Sequence, residues 1–158
     1  MREARSIKEI SFCIPGTPVG KARPRVTRSG HAYTPQKTKD YEMLVRSCYE
    51  SQVGSFQFGA KKPLEVLIEA EFPIPKSASK KRAAEMVETY HTNKPDADNL
   101  AKGILDALNG VAFPDDSAVS ALCVVKTWSN DPCTYVSIRE IPWLKRLLNK
   151  WLLKGGDG

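Results

Sequence analysis

Residues 64–72 alternate with one exception, Leu67. Leu64, Val66, Ile68, Ala70 and Phe72 fall on one side, and Glu65, Glu69 and Glu71 on the other, with Leu67 among them. Only an extended strand collects residues of period two on one face. The chain must therefore build a sheet and cover its apolar side. The three glutamates read most simply as a solvent-facing or salt-bridged face; donation to a metal cluster is the sharper alternative. Pro73 and Pro75 end the strand. A different period follows over residues 99–109, where Leu100, Ile104 and Leu108 recur every four positions with Leu105 beside them. That is one apolar stripe of a helix. A one-sided strand and a one-sided helix bury their apolar faces on each other. The fold class is α+β: a mixed β-sheet with helices packed on it.

The remaining pattern fills out this fold. Residues 7–14 read as a first strand through Ile10, Phe12 and Ile14. Thr34 caps a helix with Pro35 in its first turn. This helix runs to about Val53, with Tyr41, Leu44, Val45 and Cys48 as its buried stripe. Ser79 starts a short helix reaching about Glu88. Residues 118–128 read as a buried strand carrying Val119, Leu122, Val124 and Val125. A turn at 129–132 returns residues 134–141 as its antiparallel partner. At 158 residues the chain is expected to be a single domain over 1–158, with its core at about 7–141. Residues 142–158 form an extra C-terminal amphipathic helix and tail. Their stripe is Leu144, Leu147, Leu148, Trp151 and Leu152, for packing on the core or for a dimer contact; membrane-surface binding is the third reading.

Composition narrows the class. Hydrophobic residues make up 41% and charged residues 27%, ordinary for a soluble globular protein. No stretch approaches the roughly 20 apolar residues of a membrane span, and the charged N-terminus does not resemble a signal peptide. Cys13, Cys48, Cys123 and Cys133 lack zinc-ligand spacing and read as buried free thiols, which fits a cytoplasmic protein. His31 and His91 sit in no ligand pattern, so a histidine-based zinc site is not expected. The net charge is +6, although five aspartates, Asp96, Asp98, Asp106, Asp115 and Asp116, crowd one short segment. The rest of the surface is correspondingly basic, which suits a polyanionic partner.

The acidic segment carries the chemistry. Asp96 and Asp98 precede the helix, and Asp98 can cap it. Gly110 stands where a C-terminal cap is expected. Asp98, Lys102 and Asp106 share a second helix face. After Pro114, Asp115 and Asp116 bring further carboxylates from the helix's other end. Clustered carboxylates repel each other unless a cation closes the group. Mg²⁺, with Mn²⁺ as substitute, is the natural match, because it takes a few carboxylates and keeps waters for phosphate chemistry. A capped surface helix followed by an acidic turn is the plain alternative. Upstream, residues 11–39 contain no acid but include Lys21, Arg23, Arg25 and Arg28 among prolines and glycines. Arginine forks suit phosphate. This stretch reads as a DNA-contacting arm or hairpin turning at Ser29-Gly30, or else as a solvated basic loop. Lys80 and Lys81 add cations at the start of a helix, where the dipole disfavours them; a DNA backbone or a nearby acid would offset this.

The run PDADNLAKGILDALNG, followed by DDSAV, resembles the signature of the RusA family. These are phage and bacterial Holliday-junction resolvases, endodeoxyribonucleases. The segment PGTPVGKARPR resembles the family's amino-terminal part. The resemblance spans about residues 7–141 and excludes the tail. It implies a Mg²⁺-dependent homodimer that nicks two strands of a four-way junction, and it suggests a phage origin. By this analogy Asp96, Asp98 and Asp116 are the essential acids and metal ligands, with Asp115 a helper and Lys102 the catalytic lysine. Asp106 matches the helix pattern without an assigned role. A non-catalytic branched-DNA-binding protein and a metal-dependent nucleotide phosphohydrolase are the competing classes.

Overall fold

A computed structural model of the protein describes residues 8–141, which form one α+β domain. Ile7 and the C-terminal segment 142–158, expected to be an amphipathic helix, lie outside the described residues. The elements run β1 (Glu9–Pro15), β2 (Arg25–Val26), β3 (Ala32–Tyr33), α1 (Gln36–Val53), β4 (Leu64–Pro73), α2 (Lys80–Met86), α3 (Ala97–Leu108), β5 (Val119–Ser129) and β6 (Cys133–Glu140). A single 3-10 turn, Asp116–Ala118, leads into β5.

The main sheet has the order β1-β6-β4-β5. β4 pairs parallel with β5 and antiparallel with β6, and β6 pairs antiparallel with β1. The sheet is mixed, as expected. Leu64, Val66, Ile68, Ala70 and Phe72 are all buried, on the face covered by α1 and α3. Along α1 the buried residues are Thr38, Tyr41, Val45, Cys48 and Tyr49. Leu44, expected in that stripe, is 37% exposed, and Tyr49 takes the inward position. Pro35 occupies the N-cap without a side-chain bond, so Thr34 does not cap α1. From α3, Leu100, Ile104, Ala107 and Leu108 face inward with Ala101 and Gly103. Each buried Leu, Ile or Val contributes roughly 1.5–3 kcal/mol relative to exposure. The Arg46 Nε donates to the Ala107 carbonyl at 2.8 Å and stitches the two helices together.

One pairing differs from the sequence reading. β5 and β6 are not partners; β4 lies between them. The 129–132 connection therefore crosses the end of β4, where Pro73 pairs with Ser129 and Glu71 with Cys133. A local turn signal shows that the chain reverses. It does not show whether the returning strand settles beside its predecessor or one position further on. β4, the strand with the most buried side chains, takes the interior, and β5 takes the edge. Leu122, expected to be buried, is accordingly 47% exposed. Cys123, in register with Leu67 on the opposite face, is exposed and Cys13 is half-buried, while Cys48 and Cys133 are buried; all four thiols are free. Burial pushes the Cys133 thiol up to about 11.

Candidate functional site

The acidic segment starts where the chain leaves the edge strand. Residues 88–91 run antiparallel along the end of β5: Glu88 N–H donates to the Trp128 carbonyl, Trp128 N–H to Thr89, and His91 N–H to Lys126, each at 2.9 Å. The His91 ring stacks on Phe72 at 4.0 Å and meets Trp128 at 4.2 Å. Burial, with the nearby Lys126 charge, holds its imidazole below the ordinary value. The chain then turns through Asn93 and Pro95, and Lys126 Nζ donates to both of their carbonyls, at 2.6 and 2.7 Å. Leu100, in the first turns of α3, packs on Ala70 and Phe72 with Val124 and Trp128 around them. The front of α3 is thus seated on the end of the sheet.

α3 begins one to two residues earlier than the apolar periodicity indicates. Asp96 is its N-cap and Asp98 lies inside the first turn. Neither role matches the expected cap: Asp96 makes no side-chain capping bond, and Asp98 is already helical. A carboxylate at either place is still favoured by the helix dipole. Both side chains are exposed, as is Lys102 one turn further on. No ion pair within 4.0 Å joins Lys102 to Asp98 among the described residues. The helix ends at Leu108, with Gly110 at φ +75°, the left-handed value that a cap at this place needs.

At the other end Asp115 accepts the Ser117 N–H at 2.8 Å and caps the 3-10 turn. Hydrogen bonding from the Ser117 hydroxyl, and then from its N–H, holds the Asp115 carboxyl below the usual carboxylate range. Asp116 is half-exposed in the same turn. Asp96, Asp98, Asp115 and Asp116 are hard oxygen donors of the kind magnesium prefers. Among the described residues, however, no three His, Cys, Asp or Glu side chains stand close enough to hold a metal ion. The donor type fits Mg²⁺; the arrangement does not yet form its ligand set.

The basic arm is built into the same corner. β2 and β3 form a short hairpin, pairing Arg25 with Tyr33 and Val26 with Ala32. Its turn closes through Thr27 N–H to the His31 carbonyl at 2.9 Å, with Gly30 at φ +83°, so Ser29-Gly30 does lie in the turn. Arg23, Arg25 and Arg28 are exposed along it, and Lys80 and Lys81 are exposed on α2. α2 ends at Met86, two residues short of the expected Glu88, and Ser79 caps it by accepting the Arg82 N–H at 3.3 Å. Lys21, grouped in the sequence with the DNA-contacting cations, is engaged differently. Its ammonium donates to Glu42 Oε1 at 3.0 Å and to Asp106 Oδ2, tying the arm's root to α1 and α3. Burial pulls its pKa down, but the two carboxylates outweigh this and leave it raised. Asp106 thereby has a role, as an anchor. The Lys21 N–H also donates to the Asn99 carbonyl at 2.8 Å. Gly20 is packed so tightly that a Cβ there would lie 2.6 Å from Pro95 Cβ.

Sequence reasoning missed Lys126, Gly20 and Glu42. Lys126 left a trace, as a lone cation in the apolar run ALCVVKTW.

The family model described as endodeoxyribonuclease RusA matches residues 15–139. A Bacillus subtilis (strain 168) protein, described as uncharacterized protein YqaN, is 38% identical, over 84% of this chain and 96% of its own. The match takes in both the basic arm and the acidic segment, and the chain belongs to the RusA family of endodeoxyribonucleases.

Proposed function

We propose that the protein resolves four-way DNA junctions by Mg²⁺-dependent phosphodiester hydrolysis, making paired nicks as a homodimer. Asp96, Asp98 and Asp116 are the proposed ligands and catalytic acids, with Asp115 as helper; Mn²⁺ is expected to substitute. A bound divalent ion would activate water and neutralise charge on the phosphoryl oxygens. Because the four carboxylates are not gathered in the described arrangement, binding of the ion has to bring them together. Lys102, one helical turn past Asp98, is assigned to the charge that develops at the reacting phosphate. Arg23, Arg25, Arg28, Lys80 and Lys81 are assigned to the DNA backbone, and Lys21 to holding the arm in place. A four-way junction has approximate two-fold symmetry, and a two-fold dimer sets one acidic corner at each of two opposed strands.

The reading rests on one observation above the rest. The basic arm and the acidic helix are joined directly, through Lys21 N–H to the Asn99 carbonyl and Gly20 against Pro95. DNA gripped by the arm is thereby delivered beside Asp96 and Asp98. The rival reading is a branched-DNA binder without catalysis. Incubating the protein with synthetic junction and linear duplex, in Mg²⁺ and then in Ca²⁺, separates the two. Paired symmetric nicks confined to the junction and to Mg²⁺ support the nuclease. Tight junction binding with no nicking in either metal supports the binder.

A further inference from the structure

We infer that Lys126 is a positioning residue for the reaction, fixing the peptide that carries Asp96. The inference deepens the nuclease reading and rests on it. Asp96 is extended, at φ −69° and ψ 150°, and its carboxylate makes no capping bond to α3. Its backbone therefore does most to set where that carboxylate points. The peptide on its N-terminal side contains the Pro95 carbonyl, and that carbonyl accepts a hydrogen bond from Lys126 Nζ at 2.7 Å. The same ammonium binds the Asn93 carbonyl at 2.6 Å, so it holds both ends of the short turn leading into Asp96. Two bonds from one charged donor restrain rotation of that turn more than either would alone.

The position of Lys126 has a structural origin. It pairs in register with Ala70 of β4, and Ala70 is fully buried on the helix-covered face. A methyl group at that point leaves room for a long side chain to run toward the front of α3. The main chain of Lys126 is fixed as well, because its carbonyl accepts the His91 N–H at 2.9 Å. His91 is wedged between Phe72 and Trp128. The ammonium therefore reaches out from a rigid base. Neither Asn93 nor Pro95 offers it a carboxylate; the charge is spent on two main-chain carbonyls beside an essential acid. A cation needed only for stability or solubility would gain as much from a surface carboxylate.

Lys126→Met, Lys126→Gln and Lys126→Arg test the inference with two separate readouts. The first is the ¹⁵N order parameter of the Asp96 and Ala97 amides, which requires no nuclease activity. It is expected to fall from the rigid value of about 0.85 to below about 0.6 in Lys126→Met. The second is the rate of junction nicking under saturating protein. It is expected to drop at least tenfold in Lys126→Met, less in Lys126→Gln, and to recover in part in Lys126→Arg, with junction affinity in Ca²⁺ unchanged. Should Lys126→Met fail to fold, Lys126→Gln, which keeps one donor, carries the same comparison. A folded Met or Gln variant that keeps the wild-type order parameters, or the wild-type nicking rate, overturns the inference. If the wild-type protein nicks no junction, the nuclease reading falls, while the order parameters still judge the clamp.

Discussion

Two glycines at the same corner call for opposite outcomes on substitution by alanine. At Gly20 a Cβ would lie 2.6 Å from Pro95 Cβ, 3.3 Å from its Cγ and 3.4 Å from Asn99 Cβ. Carbon atoms rest comfortably at about 3.5–4.0 Å, so the two chains must part by roughly 1 Å. A proline ring has no rotamer that swings clear. Overpacking of this kind costs about 1–3 kcal/mol. With a urea dependence of about 2 kcal/mol per molar for a domain of this size, the midpoint falls by roughly 0.5–1.5 M. The strain arrives at the residue before Asp96, and misplacing a reacting group by about 1 Å can cost on the order of 100-fold in rate. At Gly103 a Cβ meets nothing nearer than the Lys21 nitrogen at 3.6 Å, an ordinary contact. Gly103 lies inside α3, where alanine is favoured over glycine by about 1 kcal/mol. Gly103→Ala therefore raises the midpoint by up to roughly 0.5 M and leaves nicking intact. Urea titration followed by tryptophan fluorescence, with junction nicking measured on the same samples, checks both variants. A Gly20→Ala protein with the wild-type midpoint and wild-type nicking would refute the idea that the arm's root presses on the acidic turn.

Asp96→Asn and Asp116→Asn are each expected to abolish nicking while junction binding, measured by gel shift in Ca²⁺, persists or tightens as phosphate repulsion falls; continued nicking by Asp116→Asn removes that residue from the site. Arg25→Ala and Arg28→Ala should each lower the salt slope of junction binding by about 1. Lys21→Met should leave that slope unchanged yet destabilise the fold by about 1 kcal/mol, a modest figure because the side chain retains 22% exposure. His91 sets a pH dependence. Its folded pKa lies below the ordinary 6.5, so the unfolded chain takes up the proton first. Its contribution is fully present above pH 6.5 and is lost as pH falls from there through the folded value. Urea midpoints at pH 7.5 and 5.5 should differ more in wild type than in His91→Phe.

The sequence makes the elements legible because their periods are clean. Residues 64–72 alternate except at Leu67, and all five inward positions are buried. The four-residue recurrence of Leu100, Ile104 and Leu108 becomes the buried side of α3. Pairing was not legible, since β5 and β6 carry no residue that reveals β4 between them. The carboxylates of the candidate site stand out in the sequence, because Asp96, Asp98, Asp115 and Asp116 fall in a recognisable run. What holds them does not. Lys126 and Gly20 act through main-chain carbonyls and a proline ring that lie far away in sequence, and such contacts leave no periodic trace. Lys21 shows the converse: in the sequence it is one cation of a basic run, and in the fold it pairs with Glu42 and Asp106.

The two halves of the acidic set are held very differently, and this asymmetry bears on how they meet. Asp96 and Asp98 sit on a segment fastened by Lys126, by Leu100 in its apolar seat, and by the arm's root at Asn99. Moving that segment would break all three attachments together. Asp115 and Asp116 ride on a single 3-10 turn that buries no side chain. Its Asp115 cap is one exposed hydrogen bond that water replaces with little loss. On the proposed reading, a cation that drew the carboxylates together would shift the 115–118 turn toward α3 and not the reverse. Asp96 and Asp98 would then fix where the phosphate is held, and Asp115 and Asp116 would complete the charge around it.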